Sequence, residues 1–393
     1  MAMHFRVTDT ILGGALAVML WAMPAVLNAG QSAPSPPDQA SQEHAFQAAQ
    51  EHAPPSPQPP IEYPAVHFSG FADIDVSAQS KSEGPRGFSE GQFALHVAAA
   101  LSQRVNVFAE LSLTPRADAG TGTPSAAGFN PEVERLLIRF DRGDQLKISL
   151  GRYHTPINYW NTAYHHGSWL ETTISRPEMV RFGSRFLPVH FVGALIEGGV
   201  PAHGANFNYQ VGIGNGRGDV LSRAGDAGDN NARPAWLATA WSRPDRFYGL
   251  QYGGSFYVDR ISTPGRPEFD EQIVAAHLVS DRETPEVIAE VTRVRHQQVG
   301  GGPATASLGY YVQLAYRLPD PARLWKPYFR FEHIGISKDD QVFTGIPELD
   351  GTTVGVRYDV TTYAALKVEA RSRRRGSGQE TGNGGFFQVS FTF

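Results

Sequence analysis

Polar and apolar residues alternate one by one through most of this chain from residue 66 onward. The final segment, GGFFQVSFTF at 384–393, shows the pattern most clearly. Its two faces would carry, respectively, the apolar Phe387, Val389, Phe391 and Phe393 and the polar Gln388, Ser390 and Thr392. Because successive side chains of a β-strand point to opposite faces, this period of two predicts a strand with one apolar and one polar face. An edge strand of a soluble sheet would show the same ending.

About 16 such segments follow one another between residues 66 and 393, and the connections between them alternate between long and short. The clearest long connections are 115–131, 154–186 and 215–234. Long loops on one rim and short turns on the other are typical of outer-membrane barrels. The sequence therefore predicts an all-β fold, a transmembrane antiparallel β-barrel of about 16 strands with short periplasmic turns and long external loops. Counts of 14 or 18 strands also fit the pattern.

The chain before the predicted barrel divides into two segments. Residues 1–29 have the layout of a secretory signal peptide, with Arg6 before an apolar run at 11–22 and small residues near Ala29. The apolar run is shorter than the roughly 20 residues that a membrane-spanning helix needs. Residues 30–64 are rich in Pro and Gln and predict a periplasmic linker, and 65–393 form the barrel. We therefore expect the outer membrane of a Gram-negative bacterium, after removal of the signal peptide.

Composition and motifs narrow the classes of function. A formal net charge of −5 gives no support for nucleic-acid binding, and the absence of Cys excludes disulfide scaffolds and Cys-ligated metals. The adjacent His165 and His166 are a weak metal signal without further ligands, so we predict no metal and no cofactor. His96, His277 and His333 fall in predicted strands and no nucleophile elbow accompanies them, and the Gly-rich stretch 211–218 ends a strand without opening a helix. We do not expect an enzyme.

The connection at 154–186 is the most distinctive segment, because functionless loops longer than about 15 residues are uncommon. We interpret it as a constriction loop that folds into the barrel. An Arg or Lys facing lipid at mid-membrane costs roughly 2–4 kcal/mol, so charges on the barrel wall should line water instead. The candidate lining and constriction residues are Arg135, Arg139, Lys147, Arg152, Glu171, Arg176, Arg181, Arg185, Arg330 and Arg357. Alternatively, the loop arginines pair with carboxylates and only brace the loop.

The signal peptide, the strand count, the loop alternation and the terminal Phe393 resemble Gram-negative outer-membrane porins. The GRY at 151–153 is loosely similar to the phosphate-selective O/P-type porin family. The resemblance implies a homotrimeric, water-filled channel among outer-membrane lipids and lipopolysaccharide, with anion-binding Arg and Lys in the phosphate-specific members. Lumenal acids are about as numerous as lumenal bases, so anion preference stays open.

These patterns together predict a porin for passive diffusion of small hydrophilic solutes, with anions such as phosphate as candidate solutes. The alternative is a closed or substrate-specific barrel that acts as a receptor, adhesin or scaffold. Conductance in a lipid bilayer separates these two functions.

Overall fold

The computed structural model describes residues 62–80, 84, 86–115, 129–164, 167–181, 183–217, 220–223, 225–376 and 381–393. The predicted signal peptide and most of the predicted linker lie outside this part of the chain. Sixteen antiparallel strands form one closed barrel, in which each strand pairs with its neighbours in sequence and the first pairs with the last. The predicted fold and strand count are confirmed.

The strands follow one another around the barrel in chain order. They are β1 (Ala65–Gln79), β2 (Gly87–Ala100), β3 (Val105–Pro115), β4 (Phe129–Gly143), β5 (Leu146–His154), β6 (His190–Val200), β7 (Phe207–Asn215), β8 (Ala235–Ser242), β9 (Leu250–Ile261), β10 (Phe269–Ser280), β11 (Glu286–Gln298), β12 (Ala304–Ala315), β13 (Trp325–Gly335), β14 (Leu349–Thr361), β15 (Ala364–Arg375) and β16 (Thr381–Thr392). A short helix, α1 (Tyr159–Ala163), and a 3₁₀ turn (Glu178–Val180) lie between β5 and β6. No helix among the described residues is long and apolar enough to cross a membrane.

The outer face of the barrel is apolar, as the alternation predicts. Exposed side chains on the predicted outward positions include Leu111, Leu113, Ile138, Phe140, Ile148, Phe207, Val211 and Val354. Their neighbours in sequence point into the barrel, are mostly polar, and are buried or half-buried. This arrangement suits a strand wall between lipid and a polar interior.

The predicted long-short rhythm of the connections is reversed at one place. The connection 316–324, on the short-turn rim, is longer than 299–303 on the opposite rim. Backbone pairing continues past β12, since Leu318 N donates to Trp325 O at 3.1 Å. Pro327, which lies opposite Tyr316, has no N–H to donate, so the regular ladder between β12 and β13 ends at Ala315 and Tyr328.

The barrel closes where the C-terminus meets β1. Gly70 N donates to Phe393 O at 2.8 Å, and Phe393 N donates to Gly70 O at 3.0 Å. The Phe393 ring lies directly over Gly70, where a Cβ would come within 2.4 Å of the ring. Gly70 is therefore needed for close approach, and the terminal aromatic takes part in the closing seam.

Candidate functional site

Residues 155–189, between β5 and β6, form a loop that enters the barrel; we call it the lumenal loop. Its neck is closed by Thr155 N, which donates to Val189 O at 2.9 Å. The Asn161 amide donates to both of those residues' carbonyls, at 2.9 and 2.8 Å. Asn158 caps α1 by accepting from Asn161 N at 2.8 Å, a role that Asn favours. The neck thus fixes the direction in which the loop leaves the wall.

One side of the lumenal loop is apolar and packs on the wall formed by β8 to β14. Trp160 is fully buried and meets Tyr311 of β12 edge to face, with ring centroids 6.1 Å apart. Phe186, also fully buried, stacks against Phe343 of the connection 336–348 and passes so close to Gly309 that a Cβ there would lie 2.7 Å from its ring. This contact fills one side of the lumen with a hydrophobic core.

Carboxylates of the wall hold the backbone N–H groups of the lumenal loop. Glu290 of β11 accepts from Tyr159 N and Trp160 N at 2.7 and 3.0 Å, at the start of α1. Glu369 of β15 accepts from Ile174 N at 2.9 Å and from the Ser175 hydroxyl at 2.7 Å. Buried backbone donors need such partners, and charged acceptors give the stronger bonds.

Cations of the wall hold the carbonyl groups of the same loop. Arg330 of β13 donates to Ser175 O and Arg176 O at 2.7 and 3.0 Å. Arg357 of β14 donates to Trp169 O and Glu171 O at 2.6 and 2.9 Å. Lys367 of β15 donates to Thr173 O at 3.1 Å and also to Ser168 O.

This arrangement corrects the expectation that the wall charges must line water. Arg330 and Arg357 are 0% and 5% exposed, and they anchor the lumenal loop instead. The physical reason is that a loop inside the barrel brings its own backbone polar groups, which need charged or polar partners once water is removed.

The opposite side of the lumen is a wall of paired charges on β2 to β6, which we call the ion-paired wall. Its members are His96, Glu110, Glu134, Arg135, Arg152, His154 and His190. Glu110 accepts from Arg135 and lies 2.9 Å from His96 Nε2 and 3.5 Å from His154 Nε2. Glu134 lies 2.8 Å from His190 Nε2, and the other side of that ring contacts Arg152 at 3.1 Å. The two carboxylates of this wall are matched by two guanidinium groups, and three imidazoles lie among them.

Arg176 of the lumenal loop faces the ion-paired wall. Its Nε lies 3.7 Å from Glu171 Oε1, and its Nη2 donates to Tyr164 O at 3.1 Å. Burial lowers the pKa of the guanidinium, and the nearby Glu171, Glu134 and Glu110 act in the opposite direction. The loop therefore places one buried cation among three carboxylates.

The other predicted residues lie away from this point. Arg139 and Lys147 line a cavity of about 350 Å³ at the short-turn rim, where Arg139 pairs with Asp141 at 2.9 Å. Arg181 is exposed and pairs with Glu178 at 2.8 Å, and Arg185 donates to Thr344 O at 3.2 Å. The ten predicted residues are therefore spread over the ion-paired wall, the lumenal loop, the wall positions that bind this loop, and the short-turn rim. They do not form one ring.

The described residues contain no group of three or more His, Cys, Asp or Glu side chains arranged to hold a metal ion. The two adjacent histidines of the lumenal loop, His165 and His166, lie outside the described residues.

Several solved structures share this architecture. The anion-selective porin from Comamonas acidovorans superposes with a TM-score of 0.58 over 84% of this chain and 99% of that one, at 12% identity. The chain has the porin fold. The outer membrane channel DcaP of Acinetobacter baumannii gives a TM-score of 0.56 over 84% of this chain and 97% of that one, at 10% identity. The trimer form of OmpT from Vibrio cholerae gives 0.55 over 84% and 100%, at 11% identity.

Similarity to these proteins is one of fold, since their sequences are only 10–12% identical to this chain. No protein-family model and no curated protein matches the sequence. The likeness to the O/P-type family therefore stays a prediction.

Several residues that bind the lumenal loop or pair across adjacent strands of the barrel were not predicted from the sequence. Arg217 is buried and donates to Arg185 O and Phe186 O at 2.7 and 2.8 Å, which ties the connection 216–234 to the lumenal loop. The His96–Glu110 pair was also missed, although both residues fall on inward positions of adjacent strands and are paired in register. Counting register from the short turn at 102–104, which pairs Leu101 with Val105, would have brought them together. No local signal marks Arg217.

Proposed function

We propose that this chain is an outer-membrane porin whose channel runs between the lumenal loop and the ion-paired wall and passes small hydrophilic solutes by diffusion. The proposal includes export by a signal peptide at 1–29, a periplasmic linker at 30–64, and residence among lipids and lipopolysaccharide of a Gram-negative outer membrane. A homotrimer is the proposed assembly, and the trimer form of Vibrio cholerae OmpT supports it by analogy of fold.

One observation carries the proposal: the loop is bonded across the lumen by charged side chains from β11, β13, β14 and β15. An anchored loop of this kind narrows a barrel at a fixed height. The surfaces that it leaves on the other side carry charged and imidazole groups rather than apolar ones, and such groups suit polar solutes.

Charge selectivity should be weak. In the proposed constriction Arg135, Arg152 and Arg176 stand against Glu110, Glu134 and Glu171, so the fixed charges nearly balance. Anions such as phosphate remain candidate solutes, but this balance favours small neutral and zwitterionic solutes equally.

Planar-bilayer recordings of the purified protein test the proposal. We expect stepwise, ohmic single-channel currents that are smaller than those of a porin without a lumen-filling loop. A liposome-swelling assay with sugars of increasing size should then give a sharp size limit. Currents that are absent in every insertion would contradict a channel.

The burial of inward-facing side chains favours a second candidate function, that of a largely closed barrel that acts as a receptor or scaffold. Inward residues far apart around the barrel, such as Glu110 of β3, Thr292 of β11 and Ser390 of β16, are 0% exposed. If the barrel is closed, planar-bilayer recordings should show no current. The protein should then conduct only after substitution of the wall residues that bind the lumenal loop.

A further inference from the structure

The cavity of about 350 Å³ at the short-turn rim has a surplus of positive charge, and we call it the basic rim cavity. It lies between two hairpin turns, β2–β3 and β4–β5, which are joined because Asp141 N donates to Arg104 O at 2.8 Å. Its charged lining consists of four cations and two carboxylates: Arg104, Arg139, Arg142, Lys147, Asp141 and Asp144. Of the four cations, Arg139 already pairs with Asp141 at 2.9 Å and lies 3.8 Å from Glu197.

The other three cations of the basic rim cavity have no ion-pair partner within the ranges that the structure describes. They are Arg104, Arg142 and Lys147, and both arginines are exposed. Asp144 is the remaining carboxylate among the lining residues, so it cannot balance all three. A negatively charged group is therefore attracted to the cavity.

The predicted linker enters the barrel beside this cavity and carries the opposite charge. Ala65, the first residue of β1, pairs with Ala100 at the end of β2, so the linker joins the barrel at the short-turn rim. Residues 30–64 contain no Lys or Arg, and their four acidic residues are Asp38, Glu43, Glu51 and Glu62. The linker can therefore supply the negative charge that the cavity lacks.

The linker is long enough to bring this charge to the cavity. Residues 53–64 include six prolines. Such a composition predicts extended backbone at about 3.1 Å per residue, or roughly 37 Å in all. Strands lie about 4.8 Å apart, so β5, the most distant strand of the cavity, is roughly 20 Å from β1 along the wall. Glu43 and Glu51 are both within reach.

We propose that the acidic part of the linker, residues 38–51, binds in the basic rim cavity of its own barrel. Guanidinium groups bind carboxylates through two parallel hydrogen bonds, which Arg104 and Arg142 can offer to Glu43 and Glu51. Exposed ion pairs are individually weak, so binding depends on several pairs together and on the short tether to β1. The linker then lies at the short-turn mouth of the barrel. This inference rests on the export and the linker proposed above.

Disulfide cross-linking of the folded chain from residue 30 onward tests this contact, because the sequence contains no Cys that could interfere. The test protein carries Gln47→Cys in the linker and Gln103→Cys in the cavity wall. The control protein carries Gln47→Cys and Thr362→Cys, because the β14–β15 turn lies two to three strands from β1 in the opposite direction. At about 0.1 M salt the test pair should cross-link at least about tenfold faster than the control pair. The excess should largely disappear at about 1 M salt, where the screening length is only about 3 Å.

Charge substitutions in the test protein identify the groups that make the contact. Arg104→Glu with Arg142→Glu should remove the excess cross-linking rate, and so should Glu43→Gln with Glu51→Gln, which change no residue of the barrel. Arg246→Glu is the matched control, because Arg246 is exposed at the same rim, between β8 and β9, and does not line the cavity. It should leave the rate unchanged. A gel-shift assay verifies that each variant is folded.

Three results would overturn this contact: equal rates for the two cysteine pairs, an excess that the charge substitutions leave unchanged, or cross-links that form only between two copies of the chain. Equal rates would leave the cavity to a soluble anion, and cross-links between copies would assign it to the linker of a neighbour. Cross-linking requires no current through the barrel. A protein that is silent in bilayer recordings would therefore contradict the proposed channel and leave the cross-linking result readable.

Discussion

At the residue scale, the charges inside this barrel act mainly on backbone atoms. Arg330 illustrates the physics, because one guanidinium satisfies the carbonyls of Ser175 and Arg176 and lies 3.8 Å from Glu332. A buried polar group left without a partner costs about 1–3 kcal/mol, which is more than a formed hydrogen bond usually contributes. The anchors therefore determine where the lumenal loop can rest.

Removal of one anchor should loosen the loop. In Arg330→Met the two carbonyls lose their donors and the nearby carboxylates lose a cation, so we expect a loss of about 2–5 kcal/mol in unfolding free energy. Single-channel currents should become larger and noisier. Urea unfolding followed by tryptophan fluorescence, together with bilayer recordings, measures both effects. Arg374→Met, at an exposed ion pair, should change stability by only about 0–1 kcal/mol. Unchanged conductance in Arg330→Met would remove this residue from the anchors.

Arg176 and Arg181 should differ in their effect on ion selectivity. Arg176→Gln removes a buried cation that faces Glu171, Glu134 and Glu110, so the zero-current potential in a KCl gradient should shift toward cation preference. Arg181 is half exposed and paired with Glu178, so Arg181→Gln should give a smaller shift. The difference should shrink at high ionic strength, because salt screens exposed charges. Equal shifts in both variants would contradict the assigned positions.

At the element scale, the hairpin connections on the short-turn rim are joined by charge as well as by backbone bonds. Glu283, in the connection 281–285, accepts two hydrogen bonds of 2.9 Å from Arg317 and lies 3.3 Å from Lys326. Burial raises the pKa of Glu283, but the Arg317 hydrogen bonds and the charge of Lys326 outweigh it and hold the pKa at about 2. Two neighbouring connections are thus held together by one carboxylate.

This contact predicts a specific pH dependence. Because the folded pKa lies below the ordinary value of 4.5, the stabilisation is complete above about pH 4.5 and is lost as the pH falls toward 2. Glu283→Gln should therefore be less stable than wild type at pH 7, by about 1 kcal/mol or less since the site is partly exposed, and equal to it near pH 2. Asp320→Asn is the control, because Asp320 is exposed in the connection 316–324 and forms no ion pair with any described residue; it should leave stability at pH 7 nearly unchanged. A constant difference across this range would refute the contact.

At the scale of the whole molecule, the barrel depends on one closing seam. β16 pairs with both β15 and β1, so its register decides whether every other strand is closed into the ring. Phe393 completes that seam through two backbone bonds to Gly70 and through its ring, which lies 6.1 Å from that of Phe93. The terminal residue therefore contributes to closure as well as to the outer apolar face.

Truncation of that ring should impair closure. We expect Phe393→Ala to lower the yield of folded barrel on refolding into detergent and to lower the temperature at which the folded band disappears in a gel-shift assay. Phe140→Ala is the matched control, because Phe140 is an exposed outward aromatic on β4. It lies away from the seam and loses at least as much buried apolar area, because Phe140 is 42% exposed and Phe393 is 64% exposed. Equal losses in the two variants would show that Phe393 acts only through buried area.

The strands and the loop could be predicted from the sequence to different extents. Every segment in which polar and apolar residues alternate contains a strand of the barrel, because this period of two can be recognised from neighbouring residues alone. The lumenal loop was recognised from its length, but its contacts were not. Trp160 meets Tyr311, and Arg330 meets Ser175, across more than a hundred residues of chain. No local pattern encodes such pairs.

The sequence by itself determined the alternating strands and the apolar outer face, because both follow from side chains that alternate about a local backbone axis, whereas the closed ring fixed their number at 16. Only the tertiary structure decided which inward charges stay near water and which hold the loop. Arg135 and Arg330 are equivalent in the pattern, yet one belongs to the ion-paired wall and the other is buried under Ser175. The difference arises from the path of the lumenal loop, since the wall that the loop covers loses its water and must bind the loop's backbone instead.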